Sequence, residues 1–130
     1  MTENAREAGT RNRRQVLGDA HVDRSIARTL PFDKPFQDMI TRYCWGEVWD
    51  RPGLNRRTRS LLTMAMLLAQ GHDEEFRLHV RGSANCGVSR EEVTEMLLQA
   101  TIYCGVPSAN TGFRLAKEVF AEMDAEAGAG

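Results

Sequence analysis

Asn55-Arg-Arg-Thr-Arg-Ser-Leu-Leu-Thr-Met-Ala-Met-Leu-Leu-Ala-Gln-Gly71 is the stretch on which the fold turns. Asn55 is a good helix N-cap, Gly71 a good terminator, and Leu61 to Ala69 between them is apolar on every side of a 3.6-residue turn. The pattern predicts a helix to about Gln70 that is central and buried.

Downstream, Asp73 can cap the next helix, on which Phe76, His79, Val80 and Ser83 share a face while Arg77 and Arg81 point elsewhere. Gly87 stops it. Ser89-Arg-Glu-Glu92 is a capping box, followed by an apolar stripe of Val93, Met96, Leu97, Ala100 and Cys104 that Gly105 closes. Pro107 suits the first turn of a last helix with Phe113, Ala116, Val119, Phe120 and Met123 on one face. Upstream, Pro52-Gly53 ends a helix whose stripe is Phe36, Met39, Ile40, Tyr43 and then Glu47. Between Arg11 and Pro31 the pattern is mixed, and reads as two short helical segments about a turn at Gly18-Asp19. No stretch alternates with period two, so the expected fold is all-α, a single helical domain of about six helices. The polar, small residues of 1–10 and 124–130 read as flexible tails around a domain of residues 11–123.

The 130 residues are one domain's worth, and 42% hydrophobic with 27% charged residues is an ordinary soluble composition. A net charge of −1 leaves no overall basicity to hold nucleic acid. No apolar run approaches the roughly 20 residues that span a bilayer, and no signal core opens the chain. Cys44, Cys86 and Cys104 form no Cys-x-x-Cys pair, and an odd count fits a reducing cytosol without disulfides. The expected location is cytoplasmic. All three cysteines read as small buried residues, each with a reactive thiol as the other reading.

Glu47 and His79 are the two ionisable groups placed on apolar faces, where burial moves pKa values and allows acid–base chemistry near neutral pH. A hydrogen-bonded core histidine and a glutamate paired with arginine fit the same spacing. Arg56, Arg57 and Arg59 crowd the first turn of a helix, an end whose dipole favours anions, and with Arg51 they suggest a site for a small carboxylate. Trp45 and Trp49 read either as packing or as ligand walls. His72 and His79 stand about 10 Å apart along a helix, too far to share one ion, so no metal is expected. Neither a phosphate loop nor a Gly-x-Ser-x-Gly elbow is present.

Trp45-Gly-Glu-Val-Trp-Asp-Arg-Pro-Gly-Leu-Asn-Arg-Arg-Thr-Arg-Ser-Leu61, Val16-Leu-Gly-Asp-Ala-His-Val-Asp-Arg24, Leu78-His-Val-Arg-Gly82 and Tyr103-Cys-Gly-Val-Pro107 together resemble the carboxymuconolactone decarboxylase family over about residues 11–123. The resemblance implies an alkylhydroperoxidase-like helical fold, no cofactor, and a homo-oligomer, trimeric or hexameric. The implied reaction is decarboxylation of 4-carboxymuconolactone to 3-oxoadipate enol-lactone, in the protocatechuate branch of the β-ketoadipate pathway. Thiol peroxidases of the same superfamily carry Cys-x-x-Cys-x-x-x-His; with that histidine on His79 the cysteine positions are His72 and Glu75, and the superfamily's relay glutamate falls near Ser60. A thiol peroxidase or a non-enzymatic oligomeric subunit are the alternative readings. For a lactone dicarboxylate substrate, the resemblance implies His79 and Glu47 as catalytic residues, the histidine as general acid. Arg51, Arg57 and Arg59 would meet carboxylate or oxyanion, and Trp45 and Tyr103 would serve as walls or donors. His21 and Arg24 are candidates to complete a neighbouring subunit's site.

Overall fold

The computed structural model describes residues 3–129. All its regular elements are helical, and the chain divides into two compact units, Met1–Arg56 and Arg57–Gly130. Among the described residues there are seven α-helices, one π-helical segment and a short 3-10 turn.

The first unit holds α1 (Ala5–Leu17), α2 (Asp19–Arg28), α3 (Lys34–Ile40) and the π-helical segment Thr41–Val48. Helix α1 begins inside the stretch expected to be a flexible tail. Its cap is Asn4, whose Oδ1 accepts from the Glu7 N–H at 2.9 Å while its Nδ2 donates to Glu7 Oε1 at 2.8 Å. Steps of four residues then bury two rows of α1: Ala8, Asn12 and Val16, and Gly9, Arg13 and Leu17. The π-segment packs against this face at close range. A Cβ on Gly9 would fall on the Thr41 carbonyl, and one on Gly46 on the Ala5 carbonyl, so both positions need glycine. The turn at Gly18 takes φ 89°, as its place in the sequence suggests.

From Thr41 the backbone widens to i→i+5 bonding, as in the Trp49 N–H to Cys44 carbonyl bond of 2.9 Å. The stripe expected to face inward is left largely exposed from Phe36 onward. Trp45, Gly46 and Trp49 turn inward, whereas Glu47 is exposed, and so are Phe36, Met39, Tyr43 and Cys44.

In the second unit run α4 (Arg56–Gln70), α5 (Asp73–Ser83), the 3-10 turn Ala84–Cys86, α6 (Arg90–Cys104) and α7 (Val106–Ala129). Phe76, Met64, Leu97, Val80 and Val93 are its most completely buried large side chains. The expectation of an all-round buried α4 is corrected: Ser60, Met64 and Leu68 are buried, but Leu62 and Met66 are exposed. The capping box at α6 is present, with Ser89 Oγ accepting from the Glu92 N–H and Glu92 Oε1 from the Ser89 N–H. The expected C-terminal tail is instead the end of α7, held by side chains from α5 and α6. Arg81 donates to Glu126 at 2.8 Å, Arg90 donates to both oxygens of Asp124 at 2.7 and 3.0 Å, and the Arg90 guanidinium lies 4.5 Å over the Phe120 ring. Among the described residues no helix is long and apolar enough to cross a membrane.

Candidate active site

Trp45 and Trp49 stack in the first unit, their ring centroids 4.8 Å apart and their planes inclined by 28°. Both are buried, so in the single chain their faces serve the interior of that unit. Asn12, fully buried on α1, fixes the segment that carries them. Its Nδ2 donates to the Trp45 carbonyl at 2.8 Å and to Asp50 Oδ1 at 3.1 Å, and its Oδ1 accepts from Arg56 Nη2 and from Arg11 Nη1. Those Asn12 and Arg11 hydrogen bonds hold the Asp50 carboxyl below the usual carboxylate range. Arg56, one of the four arginines of the sequence cluster and the last residue of the first unit, is thereby bound to α1. Asn12 is the residue that pattern reading missed, although Ala8, Asn12 and Val16 at four-residue steps were a usable signal.

Arg51 and Glu47 are exposed on this unit. The expectation that Glu47 continues a buried apolar face is thereby corrected. His21 on α2 is half-buried, and burial together with the charges of Arg13, Arg24 and Arg28 pushes its pKa down. Both effects favour its neutral form.

His79 stands in the second unit, on the buried face of α5 beside Phe76, Val80 and Ser83, as the spacing implied. Only 9% of it is exposed. Ser83 Oγ donates to the Val80 carbonyl at 2.6 Å, which keeps that polar side chain satisfied on the same face. Arg59 is half-buried, and Ser60, next to it, is buried with an Oγ that finds no hydrogen-bond partner among the described residues.

Arg57 and Tyr103 come together on the walls of a groove of about 630 Å³ that α4 and α6 form, floored by Leu61, Ala65, Met96 and Ala100. An apolar floor with few polar groups suits a small organic ligand or an apolar side chain. Arg57 is already ion-paired with Glu92, the residue that also closes the capping box. Its charge is therefore half committed before any ligand arrives. Tyr103, by contrast, is exposed. Among the described residues no three His, Cys, Asp or Glu side chains converge on one point as metal ligands would.

A model of the carboxymuconolactone decarboxylase family matches residues 34–118, more than half of the chain. The chain is similar to a 4-carboxymuconolactone decarboxylase of Acinetobacter baylyi, 45% identical over 115 residues that cover 88% of this chain and 86% of that protein. It is also similar to a nitrosuccinic acid decarboxylase of Metarhizium robertsii, 43% identical over 78% of this chain and 71% of that protein. A 4-carboxymuconolactone decarboxylase of Pseudomonas putida is 51% identical over 41 residues, 32% of this chain and 85% of that sequence.

Proposed function

The chain belongs to the carboxymuconolactone decarboxylase family, and from that premise we propose that it is a carboxy-lyase converting 4-carboxymuconolactone to 3-oxoadipate enol-lactone without a cofactor. The observation that carries the reading is the 45% identity over 88% of the chain to a protein of that name. The second long relative is also named a decarboxylase, so the reaction class rests on both.

The substrate is a butenolide with a carboxylate and an acetate arm on one ring carbon. When the bond to that carboxylate breaks, its electron pair enters the ring, the ring double bond shifts, and charge collects on the lactone carbonyl oxygen. CO2 leaves, and a proton added to the carbon next to the lactone carbonyl completes the enol-lactone. The ring is its own electron sink, so the protein has to supply a proton donor, cations for the carboxylates and donors toward the developing oxyanion.

His79 is assigned the proton donor, because it is the buried histidine of α5. Glu47 is assigned the relay or orienting role on the sequence resemblance, and its exposure means that another surface has to desolvate it. Arg51 and Arg59 are the arginines assigned to carboxylate or oxyanion; Arg57 joins them only when Glu92 yields its ion pair. Tyr103 is assigned a donor or wall role at the groove, and Trp45 the wall role. Homo-oligomerisation is part of the proposal. The exposed apolar side chains Leu62, Met66, Leu98, Ile102 and Val106 support it, since large uncovered apolar side chains in such number mark a contact surface. Function in the cytoplasm, on a small dicarboxylate rather than on nucleic acid or membrane, completes the reading. The thiol peroxidase alternative has no cysteine pair to use: the matching positions, His72 and Glu75, carry no thiol.

Turnover in deuterated water tests the assignment of the chemical step. The expected product is the enol-lactone carrying one deuteron on the carbon next to the lactone carbonyl; an opened, hydrolysed lactone that retains its carboxylate would overturn it.

A further inference from the structure

Arg13 is an arginine buried without a carboxylate. Only 9% of it is exposed, and its Nη2 donates to two neutral acceptors, Ser25 Oγ and Gln37 Oε1, each at 3.2 Å. Its Nε is buried and has no partner among the described residues, and no ion pair reaches it there. Buried charges are ordinarily paired, because an uncompensated guanidinium carries a heavy desolvation cost. One side chain carries the opposite charge when ionised and lies close enough to count: Cys44. Desolvation raises the Cys44 thiol pKa more than Arg13 lowers it, so although the residue has exposed surface its sulfur stays neutral and offers no countercharge.

Arg13 lies on the wall of a cavity of about 350 Å³ formed by α1, α2, α3 and the start of the π-segment, within the size range of small-molecule pockets. The charged lining is Arg6, Arg13, Lys34 and Asp38. Asp38 is shared between Lys34 at 2.8 Å and Arg6 at 3.5 Å, so three cations face one carboxylate. The three threonine hydroxyls of the wall, on Thr10, Thr29 and Thr41, each donate to a carbonyl one helical turn back. What is left to face a ligand is an excess of two positive charges on a floor of Val22 and Ile26. The pKa of nearby His21 is pushed down by burial first and then by the charges of Arg13, Arg24 and Arg28, cations on the same side of the unit.

We propose that this cavity is a binding site for a small dicarboxylate anion, one carboxylate pairing with the Arg13 guanidinium and the other taking the Arg6 and Lys34 side. It uses none of the residues assigned to the decarboxylation and does not rest on that reading. Guanidinium–carboxylate pairing in a partly closed pocket is the chemistry that recognises such a ligand, and the apolar floor fits the short carbon chain between its two ends.

The test is calorimetric titration of the full chain with succinate, and with acetate for comparison, alongside an NMR titration of the His21 ring. Saturable succinate binding is expected, roughly tenfold or more tighter than acetate, with the His21 pKa rising as the anion offsets the neighbouring arginines. Arg13→Gln is expected to weaken succinate by roughly tenfold or more. Since a change at a buried position can unfold the chain, Asp38→Asn is the second variant: it removes the carboxylate that competes for Lys34 and Arg6, and binding should tighten. Absence of saturable binding, acetate equal to succinate, or a wild-type affinity in Asp38→Asn would each overturn the proposal.

Discussion

Asn12 spends its side-chain amide on the Trp45 carbonyl, Asp50, Arg11 and Arg56, all inside one unit, the bond to Trp45 buried and the other three partly so. Replacing it with alanine removes the donor to the Trp45 carbonyl and the acceptor that Arg56 uses. Leaving buried polar groups unmet costs about 1–3 kcal/mol, and Asn12→Ala should lose that much in chemical denaturation while an exposed neighbour such as Gln15→Ala changes little. At His79 the expectation is catalytic rather than structural. His79→Gln should fold and assemble normally yet turn over on the order of 10²-fold or more slowly, measured as kcat on the lactone; near-normal turnover removes it from the mechanism. Both residues sit on buried stripes, yet only one was legible. His79 stood out because its neighbours at helical spacing, Phe76 and Val80, are strongly apolar. Asn12 was hidden because α1 buries Ala8, Gly9 and Asn12, small or polar residues that a hydropathy pattern does not register. Glu47 misled because its whole stripe did: Phe36, Met39 and Tyr43 are exposed along with it, and an apolar stripe does not by itself say that the chain covers that face.

At the scale of elements, the sequence was most readable where local chemistry punctuates it. Gly71, the Ser89-x-x-Glu92 box and Gly105 with Pro107 set the boundaries of α4, α6 and α7 to within a residue or two. It was least readable where long-range ion pairs extend a helix. The end of α7 looks like a frayed tail by composition, yet Arg77, Arg81 and Arg90 reach its carboxylates from α5 and α6. The hydrogen bond from Arg90 holds the Asp124 carboxyl below its ordinary range, and that from Arg77 does the same for Glu118. A depressed folded pKa means that the ionised form contributes stability above the unfolded carboxylate pKa, and that this is lost as pH falls through the lower folded value. Hydrogen-exchange protection of the last two turns of α7, taken relative to the intrinsic rate at each pH, should therefore be high at neutral pH and fall below about pH 4, before that of the α5 amides. Uniform protection of α7 across that range would show that these pairs do not hold the helix.

For the whole molecule, the all-α class followed from periodicity alone, whereas the surfaces did not. Leu62 and Met66 were expected inside because α4 is apolar all round, and they are exposed on the single chain. An apolar helix face left uncovered by its own chain is the mark of a partner, and the proposed partner is a second copy. Light scattering of the purified protein should give a mass of three or more chains, and Met66→Glu with Ile102→Glu should lower it; a monomer of 14.6 kDa would contradict the assembly.

The central claim is decarboxylation of the lactone by the protein's own side chains. The most direct measurement is CO2 release from 4-carboxymuconolactone by protein dialysed against a chelator, with the enol-lactone quantified in the same sample. One CO2 per enol-lactone, at a rate unchanged by dialysis, is the result expected. A folded sample that releases no CO2, or that does so only when a cofactor is restored, would contradict it.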